Sequence, residues 1–250
     1  MTPLRDRVRA GETVLGCFLT WPVAGLVELS ALAGLDFLVL DTEHGFFTIE
    51  SVETMAIAAD AAGISAIVRV SSCAAAEIGR CLDAGTAGLL FPRGDGAAAI
   101  RSAIESAQYP PAGRRGLGGV RANRFGSVPL GRHVAESNER TLLAAQIETP
   151  GALAELSAIA ALPGLDVLFV GPNDLTQALG ITGQFDDPRY RGAVEEVARA
   201  AARAGKAAGI MISRKEQIPE LSRSGFRFFT ASDRTLFLES GRAWRDARRP

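Results

Sequence analysis

The chain has 250 residues, 47% of them hydrophobic, with 27 basic against 28 acidic side chains and a formal net charge of -1. So even a balance gives no general attraction for nucleic acid or an anionic membrane, and both are excluded as partners. No apolar run approaches the roughly 20 residues needed to span a bilayer, and the charged stretch Met1 to Ala10 does not read as the start of a secretion signal. Three cysteines, Cys17, Cys73 and Cys81, are an odd number without metal-type spacing, which points to reduced thiols and a cytoplasmic protein.

Apolar runs of strand length recur in chain order: Val14 to Phe18, Phe37 to Asp41, Ile64 to Val70, Gly88 to Pro92, Leu142 to Glu148, Asp166 to Gly171, Ala208 to Ile212 and Phe228 to Ala231. Such runs, bounded by turn residues, predict strands buried on both faces of a parallel sheet. Six of them follow a glycine closely, at Gly34, Gly63, Gly85, Gly164, Gly205 and Gly225, where a left-handed residue stops the preceding helix. Pro22, Pro150 and Pro188 mark helix starts. Eight strands alternating with helices over this length predict one (β/α)8 TIM barrel spanning residues 1–250. A doubly wound open sheet would carry a glycine-rich phosphate turn after its first strand, where this chain has Phe18-Leu19-Thr20-Trp21-Pro22. Residues 109–140, dense in arginine and glycine, are expected to be an elaborated loop and helix segment over the barrel mouth or at a subunit contact. Residues 235–250 are expected to form a C-terminal helix.

Chemistry in such a barrel gathers at the carboxyl ends of the strands. Glu148 and Asp174 each close an apolar run there, and two convergent carboxylates suit a hard divalent cation such as Mg²⁺; the alternative is that each acid caps the following helix. The second strand ends in Asp41-Thr42-Glu43-His44-Gly45, and the third ends in Arg69. His44 suits proton transfer near neutral pH, with a nearby carboxylate to hold its tautomer and Asp41 as the geometric choice. Arg69 needs an anion, either a substrate oxygen or a structural partner such as Asp41 or Glu148. His133 lies in a polar segment and is expected at the surface or an interface. The only lysines, Lys206 and Lys215, fall at a strand start and beyond a strand end. Neither is placed for a Schiff base, so a barrel that activates a keto acid here needs a metal.

Asp41-Thr42-Glu43-His44-Gly45, Val68-Arg69-Val70, Leu82-Asp83-Ala84-Gly85-Thr86, Tyr109-Pro110-Pro111-Ala112-Gly113-Arg114-Arg115-Gly116, Gln146-Ile147-Glu148-Thr149 and Gly171-Pro172-Asn173-Asp174-Leu175 occur in that order. Together they resemble the signatures of the HpcH/HpaI aldolases, metal-dependent pyruvate aldolases of the 4-hydroxy-2-oxoheptanedioate and 2-dehydro-3-deoxyglucarate type. The resemblance implies a barrel of the phosphoenolpyruvate/pyruvate type and cleavage of a 4-hydroxy-2-oxo acid into pyruvate, or hydroxypyruvate, and an aldehyde. It also implies that Glu148 and Asp174 hold Mg²⁺ or Mn²⁺, with Co²⁺ an alternative, that Arg69 stabilises an enolate and that His44 is the acid/base. Gln146 and the turn Gly171-Pro172-Asn173-Asp174 would contact the keto acid, Asn173 through its backbone. The same resemblance makes Asp83 a second candidate partner for His44, although the barrel reading places it far from the mouth. Pro92-Arg93-Gly94-Asp95 departs from the Pro-Met or Pro-Phe usual in that family after the fourth strand.

Relatives of this fold include decarboxylating enzymes and a citrate-forming synthase, for which the arginines between Arg114 and Arg124 could hold a polyanionic second substrate. A non-catalytic keto-acid-binding barrel is the remaining alternative, although it would not need His44, Arg69, Glu148 and Asp174 together. Leu236, Phe237 and Trp244 give the last helix more apolar surface than its own barrel can cover. The resemblance implies that this helix packs on, or is swapped with, a neighbouring subunit in a homo-oligomer, a hexamer built from dimers.

Overall fold

The computed structural model describes residues 2–248. All eight apolar runs form strands: β1 Val14–Leu19, β2 Phe37–Asp41, β3 Ser65–Arg69, β4 Gly88–Phe91, β5 Leu142–Gln146, β6 Val167–Val170, β7 Ala207–Met211 and β8 Phe226–Ser232. They pair in parallel in sequence order, and β1 pairs with β8 to close the barrel. The six glycines expected to stop helices all have positive φ, from 65° at Gly205 to 100° at Gly225, which an L side chain reaches only with strain. Pro150 and Pro188 are the first residues of helices Pro150–Ala154 and Pro188–Arg203.

Side chains alternate along each strand, so one series fills the barrel and the other packs under the surrounding helices. The inward series includes Val14, Phe18, Phe37, Val39, Ile67, Leu90, Leu142, Ala144, Val167, Phe169 and Phe228. Phe228 is the centre of this layer, with ring centroids 4.3 Å from Phe37 and 6.2 Å from Phe169. Gly16 belongs to the same layer, because a β-carbon there would run into the Phe37 ring. One step further toward the carboxyl end, the same alternation turns Asp41, Arg69 and Gln146 inward. Polar residues therefore cap an apolar plug.

The amino-terminal end is closed differently. Helix Leu4–Arg9 contributes Leu4 and Val8 to the interior layer. Its Arg5, 2% exposed, donates to the Asp166 carboxylate at 2.9 Å and to the carbonyls of Asn138 and Glu139 at 2.6 and 2.8 Å. Asp166 also accepts from the Leu143 amide at 3.0 Å. Lys206 belongs to this end too, donating to the Leu162 carbonyl at 2.9 Å.

Residues 109–140 form a 3₁₀ turn, Arg121–Asn123, and a helix, Leu130–Arg140. Of the two expected positions, the mouth is ruled out. The segment follows helix Ala97–Ala107 and precedes β5, so its connection runs at the amino-terminal end. Three of its arginines are bound there: Arg114 to Ser102, Arg115 to Asp83 at 2.7 Å, and Arg121 to Asp60 and the Ala84 carbonyl. His133 is also corrected. It is buried, 3.1 Å from the Tyr109 hydroxyl, because that phenol offers the imidazole a partner inside the segment.

The expected C-terminal helix runs Asp233–Ala247 and has no buried residue. Phe237 and Trp244 are 78% and 80% exposed, as the sequence reading required. Residues 249 and 250 of that expectation lie outside the described residues. Among the described residues no helix is long and apolar enough to cross a membrane.

Phe228→Ala would open a cavity in the interior layer, and a buried Phe→Ala change costs about 3–5 kcal/mol. Guanidinium unfolding monitored by circular dichroism should show that loss; a change below about 0.5 kcal/mol, the level of a surface substitution, would contradict the interior packing.

Candidate active site

Asp41 and Arg69 are direct neighbours in the β2–β3 register, so period two aims both side chains at one point. Arg69 donates through Nε to Asp41 Oδ1 at 2.9 Å and through Nη2 to Oδ2 at 2.6 Å. This bidentate pair fixes the guanidinium plane. The Asp41 carboxylate also accepts the backbone amides of Glu43 and His44, both at 3.1 Å. Gly45 completes the turn, since a β-carbon there would strike the Asp41 carbonyl. Below the pair, the Phe18 ring centroid lies 4.9 Å from the Arg69 guanidinium carbon, an apolar floor that favours a cation.

Asp41 is therefore not the partner of the His44 ring, as expected from sequence proximity. Its two oxygens are occupied by Arg69 and by the turn. The carboxylate near the ring is Glu43, whose Oε2 lies 3.9 Å from His44 Nε2 and 3.3 Å from Arg69 Nη1. The His44 side chain itself is half exposed. Asp83 ends helix Ala75–Asp83 and is bound to Arg115 at the opposite end of the barrel, so one chain does not bring it to His44.

Glu148 lies two residues beyond Gln146 and is 3% exposed. The helix-cap alternative fails for it, because Thr149 caps the following helix by accepting from the Ala152 amide at 3.0 Å. Glu148 instead accepts from the Arg93 amide at 2.9 Å and from Gln146 Nε2 at 2.5 Å. Burial pushes its carboxyl up to about 7; the charges of Asp174 and Glu43 push the same way, against the Arg93 amide and Arg69. Asp174 stands in the first turn of helix Pro172–Ala178. Gly171, Pro172 and Asn173 open that helix. At Gly171 a β-carbon would collide with the Glu148 carboxylate and come within 2.9 Å of Gln146 Nε2, so only glycine lets the two loops meet. Gln146 Oε1 is buried without a hydrogen-bond partner, an acceptor held open at the site.

The structure thus brings Asp41, Glu43, Arg69, Gln146, Glu148 and Asp174 to one mouth, with His44 on its rim. Arg93 was not singled out as a site residue in the sequence; the departure at Pro92-Arg93-Gly94-Asp95 was the available signal. The lysine expectation stands, since Lys215 is exposed, 3.7 Å from Glu239, and Lys206 lies at the far end. Cys17 and Cys81 are free, and burial pushes both thiols up to about 12.

A parallel (β/α)8 barrel with acids and one buried arginine at the carboxyl ends of its strands defines the class. The chain belongs to the HpcH/HpaI aldolase/citrate lyase family, whose model matches residues 15–238. It is 35% identical to the 4-hydroxy-2-oxovalerate aldolase of Novosphingobium aromaticivorans, over 96% of this chain and 93% of that protein. It is 36% identical to the hydroxypyruvate/pyruvate aldolase of Pseudomonas aeruginosa, over 83% of this chain and 77% of that one. Among solved structures, an HpcH/HpaI aldolase/citrate lyase family protein from Burkholderia cenocepacia superposes with a TM-score of 0.92 at 32% identity, covering 98% of this chain and 99% of that chain.

The raised Glu148 carboxyl has a consequence for stability. Between its ordinary value of 4.5 and about 7 the folded, metal-free protein holds a proton that the unfolded chain has lost. That stability is present below 4.5 and disappears as pH rises through 7, a change of about 3 kcal/mol at most. In EDTA, Glu148→Gln should therefore gain melting temperature relative to wild type on going from pH 5 to pH 8. A difference that does not change with pH would contradict the assignment.

Proposed function

We propose that this protein is a divalent-metal-dependent aldolase that reversibly cleaves a 4-hydroxy-2-oxo acid into pyruvate, or hydroxypyruvate, and an aldehyde. The observation that carries the reading is Glu148, buried with its charge opposed by burial and by Asp174, beside the open acceptor Gln146 Oε1. Such a group calls for a cation. Histidine and cysteine are too scarce here for a closed zinc-type site. Two carboxylates, with water and a chelating substrate as the remaining donors, would suit Mg²⁺ or Mn²⁺, and Co²⁺ accepts the same donors. Glu148 and Asp174 would hold this cation, which would supply Lewis acidity to the keto oxygen.

The chain's own residues supply the rest. Arg69 has five N–H groups and Asp41 takes two, so the fork keeps donors for the negative charge that develops on the keto oxygen. Asp41 positions it. Gln146 and the Gly171 to Asn173 turn line the keto-acid position, and Gly171 keeps that turn close to Glu148. His44, on the solvent side, moves the proton on the hydroxyl of the carbon that is cleaved. The exposed apolar face of the last helix supports a homo-oligomer, with a hexamer as the expected form. In such an assembly Asp83 of one subunit can serve His44 of another, which reconciles its remote position with the family pattern.

Proton exchange between the pyruvate methyl group and D₂O tests the enolate chemistry. Wild type should exchange, EDTA should abolish exchange, and Arg69→Ala should lower both exchange and aldol turnover by at least about a hundredfold. His44→Ala should slow aldol turnover more than exchange. Undiminished exchange in chelator would rule out the metal reading. The shared site has its own test: co-expressed His44→Ala and Asp83→Ala subunits should recover aldol activity that neither has alone, and no recovery would place the partner of His44 within its own chain.

A further inference from the structure

Arg93 has no part in the chemistry above, yet its backbone is held in an unusual state. Its φ is 48°, a left-handed conformation that costs a non-glycine residue about 1–2 kcal/mol. That turn aims the amide at Glu148 Oε1, at 2.9 Å, and lays Nε against Glu43 Oε1, at 3.1 Å. The other oxygen of Glu43 faces Arg69 Nη1 at 3.3 Å. Glu43 is thus a bridge between a buried guanidinium and one that is 63% exposed. Among the described residues the two terminal amino groups of Arg93 have no hydrogen-bond partner. A single fork is therefore fixed at its base beside the reacting centre, with its donors free at the rim. The other cations near the mouth, Arg214, Lys215 and Arg234, have no side-chain bond to Asp41, Glu43, Gln146 or Glu148.

Two free parallel N–H groups match the two oxygens of a carboxylate. A phosphate dianion fits less well, because the Glu43 carboxylate already puts negative charge beside the guanidinium. With the keto acid on the inner side against Arg69, the second substrate enters from the rim, past Arg93. We propose that Arg93 is a specificity-determining residue that selects an acceptor aldehyde carrying a carboxylate beyond its carbonyl carbon. This rests on the pyruvate aldolase reading. In the addition direction the pyruvate methyl carbon gives up a proton and bonds to the aldehyde carbon, and the aldehyde oxygen gains a proton. The product is a 4-hydroxy-2-oxo dicarboxylate.

The test compares two acceptors of the same heavy-atom skeleton, 4-oxobutanoate and the neutral 4-methylpentanal, with pyruvate and Mn²⁺ and the full-length protein. The readout is the ratio of their kcat/KM values, which does not depend on the folded fraction of a variant. Wild type should favour the carboxylate by roughly tenfold or more. Arg93→Gln should bring the ratio close to one, and Arg93→Lys should keep part of the preference. A ratio in Arg93→Gln equal to that of wild type overturns the assignment alone, provided wild type exchanges pyruvate methyl protons in D₂O. Absence of that exchange overturns the aldolase reading and this assignment with it.

Discussion

A buried guanidinium holds the mouth of this barrel together. Arg69 sits on an aromatic floor, binds Asp41 with two parallel hydrogen bonds and faces Glu43. Taking such a cation out of water is tolerable only with matched anions, and Asp41 and Glu43 provide the match. They also exhaust it. Glu148 and Asp174 are then two further acids in a space where burial already opposes charge, and Glu148 responds by holding its proton up to about pH 7. The site is short of positive charge by construction. On the proposed reading a cation that arrives with a keto acid would complete it, which is the physical reason for preferring metal-assisted chemistry to a passive binding role.

The fold separates this polar mouth from stability. The interior layer around Phe228 and the Arg5–Asp166 closure lie toward the amino-terminal end and use residues the site does not touch. Side-chain alternation connects the two regions: Phe37, Val39 and Asp41 follow one another on the inward face of β2, and Leu142, Ala144 and Gln146 do so on β5. A one-residue slip of β2 would send Asp41 outward and strand Arg69. Register and chemistry are the same constraint here.

Much of this was legible in the amino-acid sequence for definite reasons. Buried parallel strands read as unbroken apolar runs, left-handed glycines announce helix ends, and an acid or arginine that closes such a run can only lie at the mouth. Pairing between side chains was not legible. Asp41 could equally have served His44 or Arg69, and only the β2–β3 register decides for Arg69. The arginines of the 109–140 segment left a mouth loop and a subunit contact both open, although its place after a helix and before a strand already consigned it to the end away from the mouth. His133 gave no sign of the Tyr109 hydroxyl that buries it, 24 residues away. Arg93 owes its position to a backbone angle that no side-chain pattern encodes.

The central claim is that Glu148 and Asp174 form a cation site in which the cation displaces a proton. Titration calorimetry of Mn²⁺ into the metal-free protein near pH 7, run in two buffers of different ionisation enthalpy, measures that directly. The account predicts binding coupled to release of a fraction of a proton, with binding weakened and release lost in Glu148→Gln. Tight binding with no proton release, or binding unaffected by Glu148→Gln, would contradict it.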